Sequence, residues 1–271
     1  MKFRIVQPTG FLKNYIRHYC FMESGTDDGN VVERVVPTEN IQLMFHYRNP
    51  FVEVRPDDVT VKQPRSVLCG LSNFSVDVST NGEAGVIFIK FYPLGACRFF
   101  NFPLSEIENQ SIDFSDVFHA EVRQIEEQLY LSKSLNERIA IIEAFLLKRF
   151  SAIPAYDSIL LQKGIDIIKS RKGQINAASL SEILCVTPKT LERKFSQYLG
   201  KTTKQFVKLI HFQEVLLDFS TRKNISLTER AYNNGYFDQA HFIRDFKAFS
   251  GFTPKKFTAR YPDFDYSSEY C

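Results

Sequence analysis

Two short segments near the end of the chain place basic and amide side chains opposite rows of apolar ones. The apolar rows recur every three to four residues, which puts each on one side of a helix: Leu191, Phe195, Tyr198 and Leu199 in the first, Phe242, Phe246 and Phe249 in the second. The opposite sides carry Lys189, Glu192, Arg193 and Gln197, and Gln239, Arg244 and Lys247. Arg and Lys bind guanine and Gln binds adenine in the major groove, so the chemistry that these faces could perform is the binding of DNA bases and not catalysis.

Each segment follows a shorter predicted helix and a tight turn. Residues 179–184 begin with a serine that a glutamate follows three residues later, the pattern of a capping box, and residues 226–231 repeat it 47 residues on. Thr187 then caps the first segment, while Gly235 permits a left-handed turn before Asp238 caps the second. The sequence therefore predicts two helix-turn-helix units, although any three-helix core gives a similar pattern.

Charge divides the chain unevenly. Residues 1–156 hold 16 Lys and Arg against 19 Asp and Glu, a net of −3, and Asp157 adds one more negative charge. Residues 158–262 hold 18 against 8, a net of +10. A basic domain joined to a mildly acidic one is expected when only one of them meets a polyanion. A solvated basic surface without a partner would give the same count.

The N-terminal half changes from a strand pattern to a helical one. Short runs rich in β-branched and aromatic residues alternate with turn-forming clusters up to about Lys90: 19–22, 31–36, 41–45 and 86–91. From Pro103 the spacing becomes helical, most clearly over 136–150. The apolar row of that helix favours either internal core or a homodimer contact. Pro154 then interrupts the pattern.

We therefore predict an α+β chain. A small β-barrel or cupin-like domain with appended helices comes first, and an all-α domain with two helix-turn-helix units follows. The predicted divisions are an effector-sensing or dimerisation domain at 1–150, a linker at 151–157, a DNA-binding domain at 158–262 and a tail at 263–271.

Many spaced positions over about 160–261 carry a specific pattern. In the second unit they lie in 225–231, 235–247 and 251–257, and in the first they lie in 186–195 and at Gly200. Together these residues resemble the AraC/XylS family of transcription regulators. The resemblance implies a sequence-specific DNA-binding regulator whose two units are joined by a long helix, here at about 203–219.

The resemblance also implies which side chains contact duplex DNA. By position in the pattern, the base contacts are Lys189, Glu192, Arg193, Gln239, Ile243 and Arg244. Side chains near helix starts are expected to contact phosphate instead: Thr187, Lys201, Lys204, Lys255 and Lys256. RNA polymerase is a further possible partner of such a regulator.

Two residues depart from the family pattern. Arg230 stands where the family usually has an aliphatic residue, and His211 stands where the joining helix usually has arginine. We expect Arg230 either to extend its charged group out of the core or to join the phosphate contacts. These departures leave the scaffold intact, but they leave open a lower base specificity in the second unit.

In this family the N-terminal β domain commonly binds a small molecule or forms dimers. Residues 36–45 and 91–96 faintly resemble such domains. The aromatic side chains predicted to line an effector pocket are Phe45, Tyr47, Phe88 and Phe91, with core packing as the alternative. His18, His46, Cys69 and His119 lack the spacing of a metal site, so we predict neither metal nor cofactor.

Two other classes of function remain open. A cupin-like enzyme is one, although the chain has no paired His/Glu arrangement, no G-x-S-x-G and no glycine-rich phosphate loop, so we predict no catalytic residues. A protein-binding adaptor that uses the same helices is the other, and the salt dependence of binding would distinguish it. The first eight residues break too early for a signal peptide, and no apolar run is long enough to span a membrane. We therefore expect a cytoplasmic protein.

Overall fold

The computed structural model describes residues 2–29, 31–54, 59–80, 82–222 and 225–262. The predicted tail at 263–271 lies outside the described residues. A β-rich domain comes first and a helical domain follows, as the sequence predicted. The ten strands within the described ranges are β1 (Lys2–Val6), β2 (Ile16–Ser24), β3 (Val32–Val35), β4 (Gln42–His46), β5 (Val52–Val54), β6 (Thr60–Lys62), β7 (Ser66–Cys69), β8 (Val76–Ser79), β9 (Ala84–Phe91) and β10 (Ser111–Asp113).

The strands form two antiparallel sheets. One has six strands in the order β1-β2-β9-β4-β7-β10, and the other has four in the order β3-β8-β5-β6. All eight residues of β9 are buried, which suits its position inside the larger sheet. The sheets end in separate edge strands, so the domain is an open two-sheet structure and not the closed barrel of the prediction.

The larger sheet separates two apolar clusters because successive side chains of a strand point to opposite faces. One face carries Phe45 and Ile89 into the main core, which continues into the helices. The other face carries Met44 and Phe88 into a smaller cluster. This alternation decides which aromatic side chains can line a pocket.

Two helices are appended to the sheets. The first, α1 (Phe114–Leu131), has non-helical backbone angles at Phe118 and His119. The second, α2 (Leu135–Arg149), begins at a capping box formed by Ser134 and Glu137. It agrees within one residue at each end with the helix predicted at 136–150.

Seven helices make up the remainder of the described chain. They are α3 (Ala155–Ser170), α4 (Ala177–Ile183), α5 (Pro188–Leu199), α6 (Thr203–Thr221), α7 (Leu227–Asn233), α8 (Gln239–Ser250) and α9 (Pro254–Arg260). The helix α6 is the predicted joining helix, and 11 of its 19 residues are buried, so it forms the centre of the domain. Among the described residues, none of the helices combines the length and apolar character needed to cross a bilayer.

Candidate nucleic-acid interface

The first candidate reading helix is α5. The Thr187 hydroxyl accepts a hydrogen bond from the Thr190 backbone N at 3.2 Å, and Pro188 occupies the first turn, so the predicted helix start is present. The apolar side of α5 is buried through Leu191, Phe195 and Leu199. Its opposite side leaves three predicted base-contacting side chains exposed: Lys189, Glu192 and Arg193.

The helix before α5 begins earlier than the sequence pattern indicated. Asn176 caps α4, and its side-chain oxygen accepts from the Ser179 backbone N at 2.8 Å. Ser179 is therefore the third residue of the helix and not its cap, which corrects the predicted capping box. Cys185 then turns the chain with a left-handed φ of 55°, the conformation that Gly235 adopts in the second unit with a φ of 75°.

A buried ion pair attaches α5 to α3. The Lys194 ammonium donates to the Asp157 carboxylate, and the Tyr198 hydroxyl donates to its second oxygen at 3.2 Å. Both charged side chains are about nine-tenths buried. Their spacing in the sequence carried no signal of this contact, because Asp157 lies 37 residues before its partner.

The second candidate reading helix is α8. Asp238 caps it by accepting from the His241 backbone N at 2.7 Å, as predicted. The side formed by Phe242, Phe246 and Phe249 is buried. Arg244 is exposed, whereas Gln239 and Ile243 are half-buried, and the Thr228 hydroxyl donates to the Gln239 side-chain oxygen at 3.1 Å.

Arg230 lies in the core of the second unit and in neither of its predicted places. It is the fourth residue after the Ser226 cap, as Leu180 is the fourth after Asn176 in the first unit. Only 2% of Arg230 is exposed. Its guanidinium pairs with Asp218, donates to the Arg222 carbonyl at 2.5 Å and lies over the Phe219 ring at 3.9 Å. An ion pair thus occupies the site of an aliphatic side chain.

His211 also acts inside the protein. Its ring stacks on Tyr236 with centroids 4.6 Å apart, and its Nε2 atom lies 2.6 Å from the Asn234 carbonyl oxygen. This arrangement connects α6 to the turn before α8. Burial lowers the pKa of His211, and the hydrogen bond to Asn234 opposes that shift.

The predicted phosphate-contacting residues fall into two groups. Thr187, Lys204, Lys255 and Lys256 are exposed. Lys201 is not: its side chain is 0% exposed, and its Nζ donates to Glu108 at 2.9 Å and to Asn109 at 3.1 Å. Lys201 therefore cannot reach phosphate in this arrangement, because the N-terminal domain covers it and supplies its partner.

A cavity of about 1080 Å³ lies on the side of the larger sheet that faces away from α1 and α2. Of the four predicted pocket residues, Phe88 lines it. Phe45, Tyr47 and Phe91 belong to the main core instead, which corrects the prediction. Strand alternation is the reason, since Met44 and Phe88 face the cavity and their neighbours along β4 and β9 face the helices.

The polar groups of the cavity do not form a metal centre. Among the described residues, no three His, Cys, Asp or Glu side chains are grouped as metal ligands. His46 lies behind the cavity wall, where its Nε2 contacts the lining residue Gln63 at 3.1 Å, and burial lowers the pKa of His46 to about 4. His46 is therefore a neutral imidazole held by a hydrogen bond to Gln63, and no metal is needed to account for its burial.

A β-rich domain followed by two helix-turn-helix units defines a DNA-binding regulator. Residues 180–260 match a family described as helix-turn-helix domain, and residues 4–113 match a domain family of unknown function, DUF6597. None of the curated proteins has significant sequence similarity to the chain. The helix-turn-helix match is of the AraC type, so residues 180–260 belong to the DNA-binding domain of an AraC-type transcription regulator.

Solved structures give more distant similarities. ToxT from Vibrio cholerae is 12% identical with a TM-score of 0.45, and the alignment covers 88% of this chain and 97% of ToxT. The C-terminal domain of AraT from Geobacillus stearothermophilus is 20% identical with a TM-score of 0.36, over 41% of this chain and 88% of that one. A transcriptional dual regulator from Escherichia coli K-12 is 18% identical with a TM-score of 0.34, over 42% and 98%.

Proposed function

We propose that this regulator reads DNA by inserting α5 and α8 into the major groove. The observation that carries the proposal is that Arg193 and Arg244 are both exposed on helices whose opposite sides are buried. Within the described residues, neither guanidinium forms an ion pair with a protein carboxylate. Each can therefore form paired hydrogen bonds with guanine without first losing a partner.

The remaining contacts divide by chemistry. We assign base contacts to Lys189, Glu192 and Arg193 in α5 and to Gln239, Ile243 and Arg244 in α8. Phosphate contacts belong to the exposed members of the predicted set, which are Thr187, Lys204, Lys255 and Lys256. Lys201 is left out because it is buried.

Selection of bound duplexes from a random-sequence pool tests the proposal. The full chain should enrich a defined sequence, and the Arg193→Ala, Arg244→Ala double variant should enrich none while its thermal unfolding is unchanged. The matched control replaces Arg65 and Arg123, two exposed arginines of the N-terminal domain, by alanine. Normal enrichment by the double variant would refute the assignment of these two residues.

Ionic strength distinguishes this proposal from a protein-binding adaptor. A helix pair that neutralises several phosphates should lose affinity steeply, by about 10³-fold or more between about 50 mM and 200 mM salt. A Lys255→Ala, Lys256→Ala variant should bind more weakly and have a shallower salt slope. A slope near zero for the wild-type chain would favour the adaptor.

We further propose that the cavity of the N-terminal domain takes a small, mainly apolar effector. Its size suits such a ligand, and most of its wall area is apolar, although about half of its lining residues are polar, among them Arg34 and Gln63. Phe257 and Tyr261 of the α9 region line it together with Arg34 of β3, so a ligand would contact both domains. Effector binding would then change how the DNA-binding domain is held.

The absence of tryptophan from the chain provides a direct test of effector binding. A Phe88→Trp variant introduces one reporter in the cavity wall, and a Tyr92→Trp variant introduces one on the exposed surface of the same domain. Apolar metabolites that bind should change the emission of the first reporter and leave the second unchanged. Equal responses of both variants would contradict binding in the cavity.

We infer a homodimer that associates through α2. Leu147 of this helix is 49% exposed, and Tyr130 and Leu131 at the end of α1 are 63% and 71% exposed. Sedimentation of the wild-type chain should show a dimer that Leu147→Glu dissociates and Lys133→Glu does not. A monomeric wild-type chain would exclude it.

The remaining assignments follow from the regulator class. We divide the chain into 1–150, the linker 151–157, the DNA-binding domain 158–262 and the tail 263–271. We place the protein in the cytoplasm, where its DNA ligand lies, with RNA polymerase as a partner on the promoter. No enzymatic step is proposed, because the matched helix-turn-helix domain is a binding domain.

A further inference from the structure

Both reading helices end in the same way, and both ends touch the N-terminal domain. Gly200 ends α5 with a φ of 77°, and Gly251 ends α8 with a φ of 78°. These left-handed caps lie 51 residues apart at equivalent positions of the two units. The contacts that the N-terminal domain makes at these two ends are called here the first and the second grip.

The first grip holds the end of α5 and the start of α6. Glu108 accepts from the buried Lys201 ammonium at 2.9 Å and from the Gln205 side-chain nitrogen at 2.8 Å. The approach is close, because a Cβ added to Gly200 would lie 2.9 Å from the Leu104 carbonyl oxygen. A buried ion pair with further hydrogen bonds resists separation, since each charge would otherwise lose its partner.

The second grip holds the end of α8. Ser75 donates to the Phe249 carbonyl oxygen from its backbone N at 2.9 Å and from its hydroxyl at 2.8 Å. Arg34 donates to the Ser250 carbonyl oxygen from Nε at 3.1 Å and Nη2 at 2.9 Å. Two side chains of the N-terminal domain thus bind the terminal carbonyls that an isolated helix leaves unpaired.

Arg34 is itself held in place for this contact. Its Nη1 atom donates to Asp77 at 2.7 Å, and its guanidinium lies 4.6 Å from the ring centroid of Phe252. Only 12% of the Arg34 side chain is exposed, so its N–H donors depend on these protein acceptors, which hold the guanidinium in place.

Hydrogen bonds inside the N-terminal domain join the two grips. The Asn73 backbone N donates to the Asn109 side-chain oxygen at 2.7 Å, and the Asn73 side chain donates to Glu108 at 3.3 Å. The Asn109 backbone N donates to the Leu71 carbonyl at 3.0 Å. The segment that carries Ser75 is therefore fastened to the segment that carries Glu108.

We propose that the two grips fix the distance and angle between α5 and α8, so that the N-terminal domain determines which spacing between two groove contacts the regulator accepts. The inference rests on the proposed insertion of both helices into DNA. One base pair added between two half-sites moves the second by about 3.4 Å and turns it by about 34°. A rigidly held helix pair cannot follow that change, whereas a pair joined by α6 alone has more freedom.

The test uses the full chain and the duplex that it selects from a random pool. Derivatives of that duplex carry one base pair inserted or deleted between the two contacted elements. The wild-type chain should lose about tenfold in affinity for each change, the cost of one poor base-pair contact. An Arg34→Met, Ser75→Ala variant, which weakens the second grip, should bind the derivatives and the selected duplex within about threefold of each other.

A second variant and a matched control keep the test decisive. Lys201→Met with Glu108→Gln removes both charges of the first grip together, so no buried charge is left unpaired, and it should flatten the spacing preference in the same way. Arg65→Met with Ser24→Ala makes the same types of change elsewhere in the N-terminal domain, since Ser24 is buried and donates to the Gly82 carbonyl, and it should keep the wild-type preference. Thermal unfolding of each variant checks the fold.

The outcomes separate this inference from the proposed function. If the wild-type chain selects no sequence, the proposed reading of DNA fails. If it selects a sequence and either folded variant keeps the full spacing penalty, the grips do not set the spacing. The proposed insertion of α5 and α8 into the major groove is not contradicted by that result. Relaxed spacing in both variants, with the control unchanged, supports the inference.

Discussion

The two helix-turn-helix units share a scaffold but fill it differently. At the fourth residue after the cap, the first unit buries Leu180 and the second buries Arg230 against Asp218. The first unit instead uses its ion pair, Lys194 with Asp157, to attach α5 to α3. One backbone arrangement therefore accepts either an apolar side chain or a paired charge at the same core position.

The exposed sides of the two units differ as well. The three predicted base-contacting side chains of the first unit are all exposed, whereas two of the three in the second unit are half-buried. A half-buried side chain that already has a partner, as Gln239 has in Thr228, must exchange it to reach a base. We therefore expect the first unit to contribute more to sequence discrimination.

The largest expected effect tests the buried pair of the second unit. Asp218→Ala should lower the free energy of unfolding by about 3–5 kcal/mol, because Arg230 stays buried without its partner. Urea unfolding followed by circular dichroism measures the loss. The Asp218→Leu, Arg230→Leu double variant imitates the first unit and should lie within about 1 kcal/mol of wild type. An equally large loss in the double variant would show that the two cores are not equivalent.

The next effect compares the reading sides. Arg193→Ala should weaken binding to the selected duplex by about 10- to 100-fold, the discrimination of one paired guanine contact. Arg244→Ala should cost less, below about tenfold. Fluorescence anisotropy with a labelled duplex at one fixed salt concentration measures both, with Arg123→Ala as the control. A greater loss from Arg244→Ala would reverse the proposed ranking of the two units.

A smaller effect tests where the first unit begins. Asn176→Ala should lower the free energy of unfolding by about 1 kcal/mol, as Ser226→Ala should in the second unit, because each removes a helix cap. Ser179→Ala should change it by less than about 0.5 kcal/mol, since its side chain is not the cap. Thermal unfolding of the three variants would compare them directly, and a large loss from Ser179→Ala would restore the predicted capping box.

The smallest effect distinguishes the units by pH. The pKa of His211 in the folded chain is lowered from 6.5 by burial, so the unfolded chain binds the proton more readily. The neutral ring stabilises the fold above that ordinary pKa, and the contribution is lost as the pH falls below it. Amide protection, corrected for the intrinsic exchange rate at each pH, should fall more in α7 and α8 than in α4 and α5 as the pH is lowered from about 7 to about 5.5. In His211→Gln this difference should disappear, and its persistence would assign the effect to another group.

The sequence predicted the helices well because their periodicity and caps are local. The predicted spans 136–150 and 203–219 correspond to α2 and α6, and Thr187, Ser226 and Asp238 are caps as expected. Several strands were not predicted from the sequence. The strands β5 and β6 have three residues each, too few to establish an alternation, and β1 is almost wholly exposed, so its pattern does not report burial.

The site residues could be predicted where the periodicity of one helix determines which side chains are exposed. They could not be predicted where a segment distant in the sequence determines it. Periodicity places Arg193 and Arg244 opposite the buried rows, but it cannot show which face of β4 or β9 meets the cavity. For the same reason Phe45 and Phe91 were assigned to the wrong side of the sheet. The burial of Lys201 depends on Glu108, 93 residues away, and no local pattern contains that contact.

The left-handed turn at Cys185 provides a site for labelling this protein next to α5. Cys185 is an exposed free thiol two residues before the cap of α5, whereas burial raises the pKa of both Cys69 and Cys97 to about 12. An alkylating dye should therefore react with Cys185 before either of those thiols. The chain thus supplies its own attachment point for a fluorophore, and energy transfer to an end-labelled oligonucleotide would time the arrival of α5 on its target.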